Sequence, residues 1–297
     1  MRLADVIEEL DAFFDLAAYP PDRPFARAVP DFYAAAAIDP SVWFERSFLD
    51  TGNGLLLRSG DDVAAINTTV FISDETVRKA VTRTAGPQLL CAHHPLDFET
   101  AGRGFLPLSE ETLALARNAG VSLYSVHNPL DAHPSVSTGH PWAEALGLRD
   151  ISFGPEDALC NKGGLIGTLP AAAPSADICA AVRRIAAVEH VNAIERRPMV
   201  RHIAVLPGAC EPDDLKWCQD SGCDAVVTGT YNHTTQTEPC ARLRDAFERL
   251  LPSLDITLVE CSHYASEALV MRHDFRGLCD RMFGLGGAFV EQDDPWH

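Results

Sequence analysis

Gln88-Leu89-Leu90-Cys91-Ala92-His93-His94-Pro95 is the stretch on which the fold of this chain turns. Leu89 to Ala92 form an apolar run too short for a helix, which predicts the end of a buried strand. Pro95 holds His94 in extended backbone and brings no ladder N–H, so the strand is expected to stop there. Neighbouring strand residues face opposite ways. At a strand end, where the chain bends away, both imidazoles can instead turn into one cleft or toward two adjacent metal ions. Two readings stand at this point: rim histidines bonded to backbone or water, or ligands.

Working outward, the same grammar repeats. Val63 to Phe71 is a β-branched run, followed by a helix that Asp74 is expected to cap and that Gly86-Pro87 ends. Ser109, with Glu110 and Glu111 in the first turn, starts a helix through Ala119 that Gly120 closes. The strand Val121 to Val126 then runs into His127-Asn128-Pro129-Leu130-Asp131. Strand, helix, strand, helix, strand predicts parallel β-α-β units, whose loops at the strand C-terminal ends carry function. Both histidine-bearing loops fall on that edge.

Upstream, residues 3–17 carry an apolar stripe of Leu3, Val6, Ile7, Leu10, Phe13 and Phe14, which predicts an amphipathic helix. Tyr19-Pro20-Pro21-Asp22-Arg23-Pro24 reads as a proline-rich loop, and Thr51-Gly52-Asn53-Gly54 as a turn entering a strand. Downstream, a second lobe is expected from about Phe153. It opens on the glycine-rich strand Gly163 to Leu169 and a helix capped by Ser175. Strands follow at Arg201–Leu206 and Asp224–Gly229, with helices over 213–221 and 237–250. Pro207-Gly208 and Thr228-Gly229 lack the spacing of a phosphate-binding loop and are read as sharp turns at strand ends. The expected division is one lobe over residues 1–150, completed by 255–297, and another over 151–254.

Composition narrows the function. The chain has 297 residues and 46% hydrophobic content, enough for two globular lobes. Forty-two acids against 24 bases give a formal charge of −18, which disfavours duplex DNA, RNA and anionic membrane as partners and suits a cation-binding cleft. Only three of the bases are lysines: Lys79, Lys162 and Lys216. Nine cysteines, an odd number with no Cys-x-x-Cys pair, predict reduced and buried thiols in a cytoplasmic protein. Neither Cys91 nor Cys261 has a base beside it in sequence, so a thiol nucleophile is not expected. No apolar run approaches membrane length, and the acidic, amphipathic N-terminus is no signal peptide.

The last strand, Ile256 to Glu260, leads into Cys261-Ser262-His263-Tyr264-Ala265-Ser266-Glu267. Ser262 is a good N-cap, so His263 and Glu267 fall on one helix face, four residues apart. An imidazole and a carboxylate so placed form either an ordinary surface pair or half of a metal site. Taken with His93, His94, His127 and Asp131, the inventory exceeds what one tetrahedral ion needs. It fits two divalent ions bridged by a carboxylate and a water or hydroxide. Zinc, iron or manganese accept such mixed ligands; calcium and magnesium do not favour so many imidazoles. The His-Glu-x-x-His and His-x-His patterns of zincins and amidohydrolase barrels are absent.

The ordered set Gly52-Asn53-Gly54-Leu55, Ala92-His93-His94-Pro95-Leu96-Asp97-Phe98, Tyr124 to Asp131, Val227-Thr228-Gly229 and His263 to Glu267 resembles the NIF-three-like dinuclear-metal family. That family is often labelled a GTP cyclohydrolase type-two homologue. The resemblance runs from about Asn53 to Phe283. It implies an α/β fold of two related lobes with mixed sheets, a dinuclear metal site in the cleft between them, and a ring-shaped homohexamer. Carried over by position, the ligands of the two divalent transition-metal ions (Zn, Fe or Mn) are His93, His94, Asp131, His263 and Glu267. His127 and His233 match pocket histidines, each able to act as general acid or to orient a leaving group. Thr230 stands where the family usually has an acid, and Gly52-Asn53 where it commonly has Asp-Asn. Two functions are implied. One is a metal-dependent hydrolase of a small nucleotide-like or phosphoester substrate, with Arg103 and Arg272 as anion anchors. The other is a non-catalytic hexamer that stores or delivers metal or binds a protein.

Overall fold

The computed structural model describes residues 1–153 and 164–296, so Gly163, the first glycine of the expected strand opening, lies outside the described residues. The chain divides into two compact units. The first comprises Met1–Glu99, Phe105–Leu130 and Met271–Asp293, and the second Thr100–Gly104, Asp131–Val270 and Asp294–His297.

The strands in chain order are β1 (Gly54–Leu57), β2 (Ala65–Phe71), β3 (Gln88–His94), the short β4 (Asp97–Glu99) and β5 (Gly104–Leu106), β6 (Val121–Ser125), β7 (Arg149–Phe153), β8 (Leu165–Pro174), β9 (Asn192–Ile194), β10 (Met199–Ala209), β11 (Ala225–Thr230) and β12 (Thr257–Glu260). In the first unit the sheet order is β1-β6-β3-β2. The expected β-α-β path is present: β2, β3 and β6 are mutually parallel, joined by helices Asp74–Arg83 and Glu110–Ala119. β1 departs from it, pairing antiparallel with β6 and giving a mixed sheet. β2, β3 and β6 are buried along their whole length, as parallel strands covered on both faces are. A hydrophobic cluster from Phe25 through Leu56, Leu90, Leu113 and Leu123 packs within this unit.

Local signals place the ends. Ser109 caps its helix through a hydroxyl that accepts the Thr112 N–H at 3.2 Å, and Gly120 closes it in left-handed backbone, φ 72°. At the preceding helix the cap is Ser73, in a reciprocal box with Thr76, rather than Asp74. Asp74 instead receives the Ser109 N–H (2.9 Å) and hydroxyl (2.8 Å), tying the starts of the two helices together. The amphipathic N-terminal helix ends earlier than its apolar stripe, at Phe13.

In the second unit the sheet order is β7-β8-β10-β11-β12-β9. β10, β11 and β12 are parallel, while β7, β8 and β9 join antiparallel. Of residues 255–297, Met271–Asp293 belong to the first unit. β12 hydrogen-bonds to β11 and keeps residues 257–270 with the second sheet. Ser175 opens the Ser175–Ala186 helix as its first residue, and Pro174 takes the cap position. β10 runs on through Pro207-Gly208 and β11 through Thr228-Gly229, so neither pair is the sharp terminal turn expected.

Candidate metal centre

Each unit carries its own set of donor side chains. In the first, β3 ends on His93 and His94, which are 0% and 3% exposed, and β6 is followed by His127. One ligand atom from each of these three imidazoles lies within 4.8 Å of the other two. Around one tetrahedral ion with bonds of about 2.0–2.1 Å, ligand atoms sit roughly 3.4 Å apart, so modest side-chain adjustment closes the triangle.

Backbone and carboxylate partners set the tautomers. His93 Nδ1 lies 3.1 Å from the Val126 carbonyl, so it carries the proton and Nε2 presents its lone pair. His127 Nδ1 lies 2.8 Å from Asp22 Oδ2, and the Asp22 side chain is fully buried. The backbone N–H of His127 donates to Asn53 Oδ1 at 2.8 Å. His94 stacks on Phe71 at 4.5 Å, and the Phe25 ring meets both His94 and His127 edge to face. These aromatic neighbours lower the local dielectric and so strengthen the electrostatics of the trio.

Asp22 was hidden in the sequence. The proline-rich loop ends on it: Asp22 is the N-cap of helix Arg23–Ala35, and Pro24 sits in the first turn. An Asp two residues before a proline is the signal that could have revealed a helix start. The pairing with His127, 105 residues away, has no sequence signature. A carboxylate behind a ligand imidazole typically adds 10–100-fold in metal affinity. Asp22→Asn, which keeps the cap, is therefore expected to weaken zinc binding by the histidine trio about 10–100-fold. Competition against a chromophoric chelator reads this out, and unchanged affinity would separate Asp22 from the site.

In the second unit, Ser262 accepts the Ala265 N–H at 3.1 Å and starts helix His263–Leu269. His263 Nε2 and Glu267 Oε1 are 3.2 Å apart, on one face as the spacing predicts. The His263 ring stacks on Trp296 at 4.9 Å. Two glycines let the helix approach the sheet this closely. A Cβ on Gly208 would sit 2.5 Å from Glu267 Oε1, and one on Gly229 would sit 2.5 Å from both Gly208 O and Ser266 Oγ. Ser266 accepts the Gly208 N–H at 2.8 Å, and the Trp142 indole donates to the Ser266 carbonyl at 2.7 Å.

Asp131 is 5% exposed and accepts the Thr138 hydroxyl at 2.8 Å. His233 is buried in left-handed backbone, φ 47°, with Nε2 2.9 Å from the Cys210 carbonyl. Burial pushes its pKa below the usual imidazole value, so it is neutral at pH 7. The loop bearing it is held by Glu260, whose carboxylate accepts from the backbone of Tyr231 (2.6 Å) and Asn232 (2.9 Å) and the Thr230 hydroxyl (3.1 Å). Glu260 is thus committed to the loop. Arg272 is paired with Glu291 at 3.1 Å and lies over the Phe289 ring, so its charge is already matched. Burial raises the Cys91 thiol well above its ordinary pKa and pushes Cys261 up to about 12, which keeps both protonated and non-nucleophilic.

Against known families, the model of Duf34/NIF3 (NGG1p interacting factor 3) matches residues 48–282. The chain belongs to that family. No curated protein matches the sequence. Among solved structures, this Duf34/NIF3 protein is similar to ybgI, described as of unknown function, with a TM-score of 0.70 at 16% identity, covering 99% of this chain and 100% of that one. TTHA1606 from Thermus thermophilus gives 0.68 at 18% identity, over 99% of each chain. Reduced HcgD from Methanocaldococcus jannaschii gives 0.66 at 18% identity, over 98% of each. At such identities the likeness establishes the mixed α/β fold. Among the described residues no helix is long and apolar enough to cross a membrane.

Proposed function

We propose that this Duf34/NIF3 protein is a metal-dependent hydrolase acting on a small, nucleotide-like or phosphoester substrate. Two divalent ions per chain (zinc, iron or manganese) would be held by His93, His94, Asp131, His263 and Glu267. The observation that carries this reading is the buried pair His93 and His94 with His127 beside them, one ligand atom from each imidazole lying within 4.8 Å of the other two. Mixed nitrogen and oxygen donors fit transition ions and not calcium or magnesium. When bound, such ions supply Lewis acidity and make water nucleophilic near neutral pH.

The chain's own residues divide the remaining work. His127, held by Asp22 through Nδ1, keeps Nε2 for the site, either to move a proton or to complete the histidine trio around an ion. His233, neutral and donating to Cys210 O, is a poor proton source and is suited to orienting a leaving group.

A second reading, a non-catalytic hexamer that stores or delivers metal, is favoured by one observation. Arg272 is spent on Glu291, and the chain carries a formal −18, so a triphosphate finds little cationic help. Turnover of GTP and simple phosphoesters by metal-loaded wild type, His127→Ala and His263→Ala decides between them. Hydrolysis is expected to be lost in both variants; equal, negligible rates in all three would favour storage. Light scattering tests the proposed homohexamer, which a monomer would refute.

A further inference from the structure

The second unit carries a pair of thiols that the metal centre does not use. Helix Pro212–Asp220 ends at Gly222 in left-handed backbone, φ 81°. There the Gly222 N–H donates to the Gln219 carbonyl at 3.0 Å and the Cys223 N–H to the Cys218 carbonyl at 3.1 Å. This six-residue closure sets the side chains at its two ends against each other, a contact that apolar residues ordinarily make. Here both ends are cysteines, and the Cys218 thiol is hydrogen-bonded to the Cys223 sulfur. A disulfide needs Cα atoms roughly 4.4–6.8 Å apart, the scale on which such a closure holds its ends.

The pair is asymmetric. Cys218 is fully buried in the core with Leu215 and Phe247, whereas Cys223 follows two exposed residues, Ser221 and Gly222. A Cβ added to Gly222 would meet nothing within 4 Å, so the turn is open on that side. Donation from the Cys218 thiol favours a thiolate at Cys223 and lowers its pKa, against burial and the Asp224 carboxylate; Cys218 itself is raised. The other thiol contact, Cys91 with Cys279, has no such opening. Both of its members are fully buried, and burial keeps Cys91 protonated. Cys210, the third thiol of the second-unit core, turns its sulfur to the Glu211 carbonyl at 3.8 Å.

We propose that Cys218 and Cys223 form a peroxide-sensitive dithiol, Cys223 the attacking sulfur and Cys218 the resolving one, which closes reversibly to a disulfide across the end of helix Pro212–Asp220. The Cys223 thiolate takes one oxygen from hydrogen peroxide. The O–O bond breaks, and the hydroxide that leaves collects the proton Cys223 had released, leaving a sulfenic acid. The Cys218 sulfur then attacks the Cys223 sulfur: S–S forms, S–O breaks, and the departing hydroxide takes the Cys218 proton. Two thiols are oxidised by two electrons, and one peroxide is reduced to two waters. A small-molecule dithiol reverses the bond by exchange. The site is independent of the proposed metal centre, since neither sulfur is a ligand there.

The test treats the full chain with hydrogen peroxide under native conditions, removes the peroxide, then unfolds the protein, alkylates it with N-ethylmaleimide and cuts it with trypsin. Lys216 and Arg242 bound one peptide, residues 217–242, which holds Cys218, Cys223 and Cys240. It should carry one maleimide after peroxide and three again after dithiothreitol, with Cys91 and Cys279 alkylated throughout. Cys240→Ser should still form the bond. In Cys218→Ser, dimedone should trap a sulfenic acid on Cys223 at least about tenfold more than it traps one on Cys218 in Cys223→Ser. Three maleimides on the peroxide-treated wild type, a bond lost in Cys240→Ser, a cross-link of Cys218 to Cys210, or equal dimedone labelling in the two variants would each overturn the proposal. The wild-type masses stand whether or not a variant folds.

Discussion

Gly229→Val is expected to lower the thermal midpoint of the protein by about 6–12 °C. The added Cβ would lie 2.5 Å from Gly208 O and Ser266 Oγ and 2.8 Å from His263 Cα. Two of these three atoms are backbone, so no flexible side chain can yield. Either β11 separates from the helix His263–Leu269 or the helix loses its seat. Overpacking of this kind costs about 3 kcal/mol, and each kcal/mol moves a domain of this size by about 2–4 °C. Gly222→Ala is the control. Gly222 has φ 81° but nothing within 4 Å of an added Cβ, so it carries backbone strain alone, about 1–2 kcal/mol. Calorimetry of both variants checks the ranking; a Gly222→Ala loss as large as that of Gly229→Val would mean that close approach is not what Gly229 provides.

The contrast between these glycines shows where the sequence is readable. Features set within one turn of chain are legible: the Ser109 cap, the Gly120 stop, the Ser262 cap, and the His263–Glu267 pair that the four-residue spacing puts at 3.2 Å. The His-His strand end is legible because Pro95 and the apolar run act on the same few residues. Gly208 and Gly229 were visible as glycines, but their role depends on a helix that begins 34 residues beyond the second of them, so they read as turns. Asp22 and β1 fail for the same reason. The carboxylate finds its imidazole, and the strand its antiparallel partner, only after the first unit has assembled. Helix Arg23–Ala35 was obscured further by Pro30 in its interior, a residue that ordinarily argues against a helix.

Glu267→Ala should reduce the metal content of the loaded protein from two ions to one. Glu267 is 4% exposed and supplies the only carboxylate within reach of His263 Nε2, at 3.2 Å, in its own helix. Loss of a ligand exceeds the 10–100-fold cost of losing an outer partner, so affinity at this position should fall at least about 100-fold. At fixed free metal that weakening removes about 2.7 kcal/mol of ligand-linked stability. The sign differs without metal. A buried carboxylate costs free energy to desolvate, and Gly208 already leaves it room, so its removal should leave the metal-free protein as stable as wild type or slightly more so. The signature is therefore a difference: thermal midpoints that coincide in chelator and separate in zinc, alongside elemental analysis after dialysis. A variant that still holds two ions tightly would remove Glu267 from the ligand set, whereas equal destabilisation with and without zinc would make it a packing residue.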